Sequence, residues 1–431
     1  MRQPNVLFRG GQVLDLDTGS QTPMDIRIAS GVIAELGVNL TPQGETEDVI
    51  DLAGALISVG WMDMHVHLRE PGFEHKETIA TGCDAAAQGG FTDIACMPNT
   101  DPPASTRDVV AFIRAQNQGM AVRVHPIGCV SAERKGQKLA EMADLAEAGA
   151  VAFSDDGSPV QDGGLMRLAL EYAKMLGRPI INHMEDLTLN RHGDMHEGLV
   201  STRLGLAGIP VAAEDVMVAR DIQLAELTGG HVHVAHISSK ESVNMVREAK
   251  KKGLKVTAEV CTHHLVLTDE EVERSAYDAN TKMHPPLRSQ EHVDALHAGL
   301  ADGTIDVLCT DHAPHATYEK DVEFSAAPFG ILGLESAWGL IGRHVVAAGT
   351  ISLVEAIRKL TIAPRTVLGL PQPSIAVGAQ ACLTVFDSHT SWVFEARHVR
   401  STSRNTPFYG HAMLGQVHGI YNDGQWVPAT R

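Results

Sequence analysis

What most constrains this chain is a rhythm. From residue 56 to residue 311, short apolar runs alternate with stretches of helical spacing. Strand candidates lie at 56–67, 92–98, 122–129, 150–156, 179–184, 231–237, 255–262 and 305–311. Helical stretches separate most of them. HKETIATGCDAAAQGG ends at a glycine pair, LMRLALEYAKMLG stops at Gly177, and SSKESVNMVREAKKKG opens on a serine cap and stops at Gly253. TDEEVERS sets Glu271 three residues after Thr268, the pattern of a capping box. Eight strands alternating with helices predict an α/β fold, a (β/α)8 TIM barrel, with a doubly wound open sheet as the alternative.

The two ends of the chain have a different texture. Residues 1–55 and 372–431 carry short β-rich pieces punctuated by glycine turns, including Asn-Asp-Gly near the end. The economical arrangement is one small β-sandwich domain built from both termini, with residues 56–371 as the barrel. A length of 431 residues favours more than one domain, although a barrel alone can fill over 200 residues.

The formal charge is −18, from 35 basic and 53 acidic residues. A general nucleic-acid binder would need a basic face, so that class is excluded. A small anionic substrate is not excluded, because one local arginine can hold it. The six cysteines form no C-x-x-C pair and read as buried free thiols. The start MRQPNVLFRGG has no apolar signal region, and no apolar run reaches membrane-span length. Together these place the chain in the cytoplasm.

In a barrel, chemistry gathers at the C-terminal ends of the strands, and the unusual polar residues fall there repeatedly. The first run ends in DMHVH, where spacing by two puts Asp63, His65 and His67 on one face. The fourth ends in Asp155 and Asp156, the fifth in His183, and the eighth in Asp311, His312 and His315. In the sixth, HVHVAHISS, an inward face of Val232, Val234 and His236 selects His236. His231 and His233 are then expected to face helices or solvent. Histidine and aspartate without cysteine suit a zinc-like ion with open positions, or a carboxylate-bridged pair of ions that activates water as hydroxide and polarises a carbonyl.

The ordered set GWMDMHVHLREPG, CMPNT, FSDDGSPV, INHMED, VAHISS, MHPPLR, CTDHAPH and APFGILGLE resembles the type I dihydroorotases of the amidohydrolase superfamily, over residues 55–370. The resemblance implies a zinc-dependent enzyme, with one or two Zn2+ per subunit, that reversibly cyclises N-carbamoyl-L-aspartate to L-dihydroorotate in pyrimidine biosynthesis. His65, His67 and Asp311 would bind one ion, His183 and His236 the other, and Asp156 would bridge them. Asp311 would serve the metal-bound hydroxide as general base and then general acid. The substrate side would comprise His67, Arg69, Asn99, His284, His315, Phe329 and Gly330, with Arg69, Asn99 and His315 on the substrate carboxylate. His284 stands where relatives often carry asparagine. Hydantoinases and allantoinases use a carboxylated lysine at the bridge, and GAVAFSDDGSPV offers only Asp155 and Asp156. Asp156 is preferred on the family's spacing, since strand parity does not decide.

Two other readings remain open: another cyclic-amide hydrolase, and a non-catalytic scaffold subunit. Implied partners are the small-molecule substrate, a second copy in a homodimer, and aspartate transcarbamoylase, with neither nucleic acid nor membrane. Asp63, one step deeper than the histidines, is expected to support a ligand rather than bind metal. Residues 316–328, without clear periodicity, read as a mobile lid or as a plain surface loop.

Overall fold

Strands from both ends of the chain meet in one eight-stranded sheet. The computed structural model describes residues 5–44, 47–190 and 192–430. Asn5–Leu14, Gln21–Ala29, Val32–Gly37 and Asp48–Asp51 supply one side, and Leu383–Val393, Ala412–Asn422 and Gln425–Pro428 the other. Leu56–Val59 joins them, parallel to Asn5–Leu14 and antiparallel to Leu383–Val393. Phe8, Ile26, Ile28, Ile57, Leu383 and Tyr421 form its buried core. The last hairpin turns through Asp423 and Gly424, both at positive φ (46° and 73°), as a two-residue turn of type I′ requires.

The run expected over 56–67 is therefore two strands. They part at Gly60, whose N–H donates to the Cys382 carbonyl at 2.8 Å. A Cβ there would lie 2.2 Å from Thr92 Oγ1, so only glycine allows this approach.

Beside a two-stranded sheet of Met195–His196 with Gly208–Ile209, the middle of the chain forms two larger parallel sheets. One contains Trp61–Val66, Phe91–Cys96 and Arg123–Pro126; the other contains Ile180–Asn182, Val232–Val234, Val256–Cys261 and Val307–Cys309. Single parallel bridges Gly128↔Phe153 and Phe153↔Ile180 link them on one side, and Val66↔His312 links them on the other. The run at 150–156 makes only those bridges. Past Phe153 the chain is drawn off, because the Asp155 carboxylate accepts the Val130 and Ser131 N–H groups.

Helices cover these sheets as their caps foretell. Ser239 accepts from Glu241 N and Ser242 N to start Lys240–Lys251. The capping box expected at Thr268 does not form. The helix is Glu270–Arg274, its first flanking residue is Asp269, and no side chain caps it. Thr268 Oγ1 instead lies 3.4 Å from Arg274 Nη2. Val243 and Val246 bury their side chains in the same cluster as Val232 and Val234, each gaining about 1.5–3 kcal/mol from leaving water. Among the described residues no helix is long and apolar enough to cross a membrane.

One buried ion pair fastens the end of the sheet where the strands begin. Arg365, from the helix Ile362–Leu368, donates to the Gly60 carbonyl at 2.8 Å and to Asp93 Oδ2 at 2.7 Å. His125 Nε2 lies 2.9 Å from Asp93 Oδ1. Burial alone would raise Asp93, but His125 and Arg365 hold it well below the usual carboxylate range. Arg365→Ala leaves that charge half-paired and should cost about 3–5 kcal/mol in urea denaturation at neutral pH. A depressed carboxylate contributes stability above its unfolded pKa and loses it as pH falls through the folded value. The difference between the two proteins should therefore shrink toward strongly acid pH.

Candidate metal centre and substrate pocket

The C-terminal ends of the parallel strands bring six side chains from five segments together. Asp156 lies at the centre. His65 Nε2, His183 Nδ1 and His236 Nε2 are 3.5, 3.7 and 3.5 Å from its Oδ1, and His67 Nε2 is 3.5 Å from its Oδ2. Asp311 Oδ1 is 2.9 Å from His67 Nε2 and 3.6 Å from His65 Nε2. His183 Nδ1 and His236 Nε2 are 2.9 Å apart. Asp155 takes no part. Its carboxylate is occupied by Val130, Ser131 N–H and the Ser131 hydroxyl.

The tautomers decide what such a cluster can hold. His67 Nδ1 faces the Asn99 side-chain oxygen at 2.8 Å, and His65 Nδ1 faces Glu259 Oε1 at 2.5 Å. Each Nδ1–H donates outward, so each Nε2 turns a lone pair toward carboxylate oxygens. Lone pairs facing carboxylates at 3–4 Å call for a cation between them. His65 Nε2 and Asp156 Oδ1 are also buried without a hydrogen-bond partner. The overlapping triads His65–His67–Asp156, Asp156–His183–His236 and His65–His236–Asp311 each keep their donor atoms within 4.8 Å. This donor set fits one or two divalent ions with open positions.

The field points the same way. Burial opposes a charge on His65, yet Glu259 and Asp156 raise its proton affinity well above the ordinary value. Burial also opposes charge on Asp156, but the surrounding imidazoles hold it well below the carboxylate range. Negative charge that draws a proton to His65 equally draws a cation.

Beside the cluster lies a cavity of about 340 Å³ bordered by Arg69, Asn99, His284, His315, Phe329 and Gly330. Arg69 Nε donates to the Pro314 carbonyl at 3.0 Å, and among the described residues the guanidinium has no ion-pair partner. His315 Nε2 donates to the Phe329 carbonyl at 2.8 Å. Burial and the neighbouring Arg69 push His315 down to about 2, so it is neutral. His284 stacks on Phe329 with centroids 4.6 Å apart and meets Glu185 Oε1 at 2.7 Å. Gly330 sits at φ 124°, where a Cβ would come 2.7 Å from Ala313 Cβ.

Comparison with known proteins now decides the family. A Dihydro-orotase-like family profile matches residues 54–242. The dihydroorotase of Pelotomaculum thermopropionicum is 52% identical over 410 residues, covering 95% of each chain. That of Citrifermentans bemidjiense is 48% identical over 426 residues, covering 98% of this chain and 99% of the other. This chain belongs to the dihydroorotase family. Among solved structures, the L-hydantoinase (dihydropyrimidinase) of Arthrobacter aurescens shares its fold, with a TM-score of 0.87 over 100% of this chain and 96% of the other at 24% identity.

Several features of this dihydroorotase-family site escape sequence reasoning. His236 reaches the cluster, but not by strand parity. Val232 and Val234 pack outward against the helix Lys240–Lys251, while half-buried His231 and fully buried His233 both meet Thr257 Oγ1 at 2.8 Å, so His233 does not face solvent. The strand ends at Val234, and His236 takes φ 31°, which swings its ring back over the sheet. Asp63 is engaged by its neighbours. It accepts the His65 N–H and the Thr310 hydroxyl, and burial lifts it to about 7. Glu259 holds both His65 Nδ1 and, at 3.3 Å, His233 Nε2. Its signal was a lone acid inside the apolar strand Val256–Cys261. Glu185, within INHMED, lies 3.6 Å from His183 and also holds His284. The stretch 316–328 contains a short helix, Thr317–Lys320, and a 3-10 turn, Phe324–Ala326. Lys320 anchors it by donating to the Ala279, Lys282 and Pro328 carbonyls, and Phe324 is buried.

Glu259→Gln keeps the shape but lets His65 turn. Outer carboxylates of this kind are worth about 10- to 100-fold in metal affinity. Chelator competition should show a loss in that range; unchanged affinity would show that Glu259 does not hold His65.

Proposed function

We propose that this chain is a dihydroorotase that reversibly cyclises N-carbamoyl-L-aspartate to L-dihydroorotate in pyrimidine biosynthesis. The observation that carries the reading is Arg69, a guanidinium without a carboxylate partner, facing a cavity that adjoins the His/Asp cluster. A cyclic amide alone would leave that charge unmatched, whereas the carboxylate of dihydroorotate pairs with its fork.

The catalytic body, residues 60–371, is a closed (β/α)8 barrel, a reading supported by the single bridges at Phe153 and His312 that link the two larger parallel sheets. Leu56–Val59 goes with the terminal strands, so the small β-sandwich beside it comprises residues 5–44, 47–59 and 372–430. The chain works in the cytoplasm, where its buried thiols stay reduced. Zn2+ is the ion these residues would hold, through His65, His67 and Asp311 and through His183, His236 and Asp156. When bound, zinc supplies an activated water and polarises the amide carbonyl.

The chain's own residues do the rest. In the hydrolytic direction Asp311 takes the proton of the attacking water on its carboxylate, then delivers it to the departing ring nitrogen. In synthesis the same carboxylate takes that proton from the carbamoyl nitrogen. His65 and His67 keep the Asp311 carboxyl ionised: burial would raise it, but both rings lower it. Asn99 offers its amide N–H groups to the substrate, because its oxygen is engaged by His67. Neutral His315, its Nε2–H given to the Phe329 carbonyl, lies 3.4 Å from Arg69 and sets no second positive charge beside it. Phe329 and Gly330 shape the wall that meets the dihydropyrimidine ring, and His284 backs Phe329.

Purified protein should turn over L-dihydroorotate and leave hydantoin and allantoin untouched; turnover of hydantoin alone would overturn the reading. Asp311→Ala should lower kcat by about 10²–10⁴-fold. Arg69→Ala should cost about 10- to 100-fold in kcat/KM, mostly through KM, by loss of a charged hydrogen-bonded pair.

A further inference from the structure

At the C-terminal end of the strand Val256–Cys261 the chain reads Cys261-Thr262-His263-His264, and none of these residues belongs to the centre just described. The backbone there turns into a 3-10 helix, Thr262–Leu265, which brings the two imidazoles together with ring centroids 4.3 Å apart. Cys261, His263 and His264 are all buried, and one donor atom from each lies within 4.8 Å of the others.

The hydrogen bonding leaves these donors free. His264 Nε2 donates to the Pro285 carbonyl at 2.9 Å, which fixes the tautomer and leaves the Nδ1 lone pair exposed to the cluster. Nδ1 has no partner, and neither does either nitrogen of His263. A ring nitrogen tied to a backbone carbonyl behind a free lone pair is the arrangement of a metal-binding histidine. Cys309 stands directly opposite Cys261 in the parallel register, the two free thiols 3.6 Å apart in a hydrogen bond and not a disulfide. Glu259, two residues before Cys261 on the same strand face, adds a buried negative charge.

We propose that Cys261, His263 and His264 form a second cation site, separate from the His/Asp centre, that takes a zinc-class ion through one thiolate and two imidazoles. Sulfur with imidazole suits Zn2+ among abundant divalent ions, and hard Mg2+ or Ca2+ poorly. Binding forms a metal–sulfur bond and releases the Cys261 thiol proton to solvent. The ion's role is to tie the end of this strand to the Pro285 loop beside the pocket. The proposal shares no ligand with the His/Asp centre, so its failure would leave the functional reading intact.

The His/Asp centre contains no sulfur, which makes sulfur the diagnostic. Apoprotein is loaded with Zn2+ under reducing, anaerobic conditions and examined by X-ray absorption. A parallel sample is titrated with Co2+ and followed by thiolate-to-cobalt charge transfer in the near ultraviolet. The wild type should show a sulfur shell at about 2.3 Å and bind one more equivalent of metal than Cys261→Ser. The charge-transfer band should vanish in Cys261→Ser and persist in Cys309→Ser. His263→Asn should weaken the band's Co2+ midpoint at least tenfold. A fully loaded wild type with no sulfur shell would overturn the proposal whatever the variants do. A band that survives Cys261→Ser and disappears in Cys309→Ser would overturn the ligand assignment.

Discussion

Asp156 is a carboxylate removed almost wholly from water and ringed by His65, His67, His183 and His236. A bare buried carboxylate is too costly to persist, so its surroundings must supply positive charge. The imidazoles can do so only if their far sides are held, and each of three is. Glu259 stands behind His65, Asn99 behind His67, and Glu185 beside His183. The site is thus layered outward from one carboxylate: bases around it, then acceptors that fix those bases. Remove the outer layer and the inner rings lose the orientation that aims their lone pairs at a common point.

That aim is also set by backbone that most residues avoid. Arg69, His236 and Asp311 lie at φ 64°, 31° and 48°. Non-glycine residues hold such angles only where the surrounding structure over-determines them. Each stands just beyond the end of a parallel strand, where the ladder has fixed the chain up to the preceding residues. The sheet therefore acts as the rigid base, and the departure from regular strand geometry redirects three functional side chains toward one cavity. At the opposite end, Arg365 and Asp93 fasten the strand starts without any chemistry of their own. Rigidity there and strain here are parts of one arrangement.

This division explains what could be read from the sequence. The alternation of strands and helices follows local pattern, so seven of the eight expected runs appear as parallel strands, and the eighth survives only as bridges at Phe153. The polar strand ends were legible for the same reason. Parity failed where backbone leaves the strand: His236 arrives through a left-handed turn, and the inward residue of that strand is His233. Two adjacent acids, Asp155 and Asp156, are indistinguishable by pattern. Which one faces the histidines depends on Ser131, which lies 24 residues away from Asp155 in the chain. Glu259 was hidden because its partner His65 comes from another strand, and Glu185 because His284 comes from a distant loop. Long-range pairing of this kind leaves no periodic trace.

The same layering accounts for selectivity between related cyclic amides. The His/Asp cluster by itself recognises only an amide carbonyl, a feature all such substrates share. Discrimination must come from groups that chemistry does not consume, and in the proposed function Arg69 is the charged one among them. Removal of its guanidinium from water lowers it to about 10, so it stays charged at neutral pH but is poorly solvated. A neutral ring would leave that cation buried and unpaired, and a buried unmet charge rejects a ligand more strongly than a missing methylene does. His315, kept neutral beside it, avoids adding a second positive charge that would need another anion. On the proposed function, the pocket thus asks for one carboxylate beside one amide carbonyl.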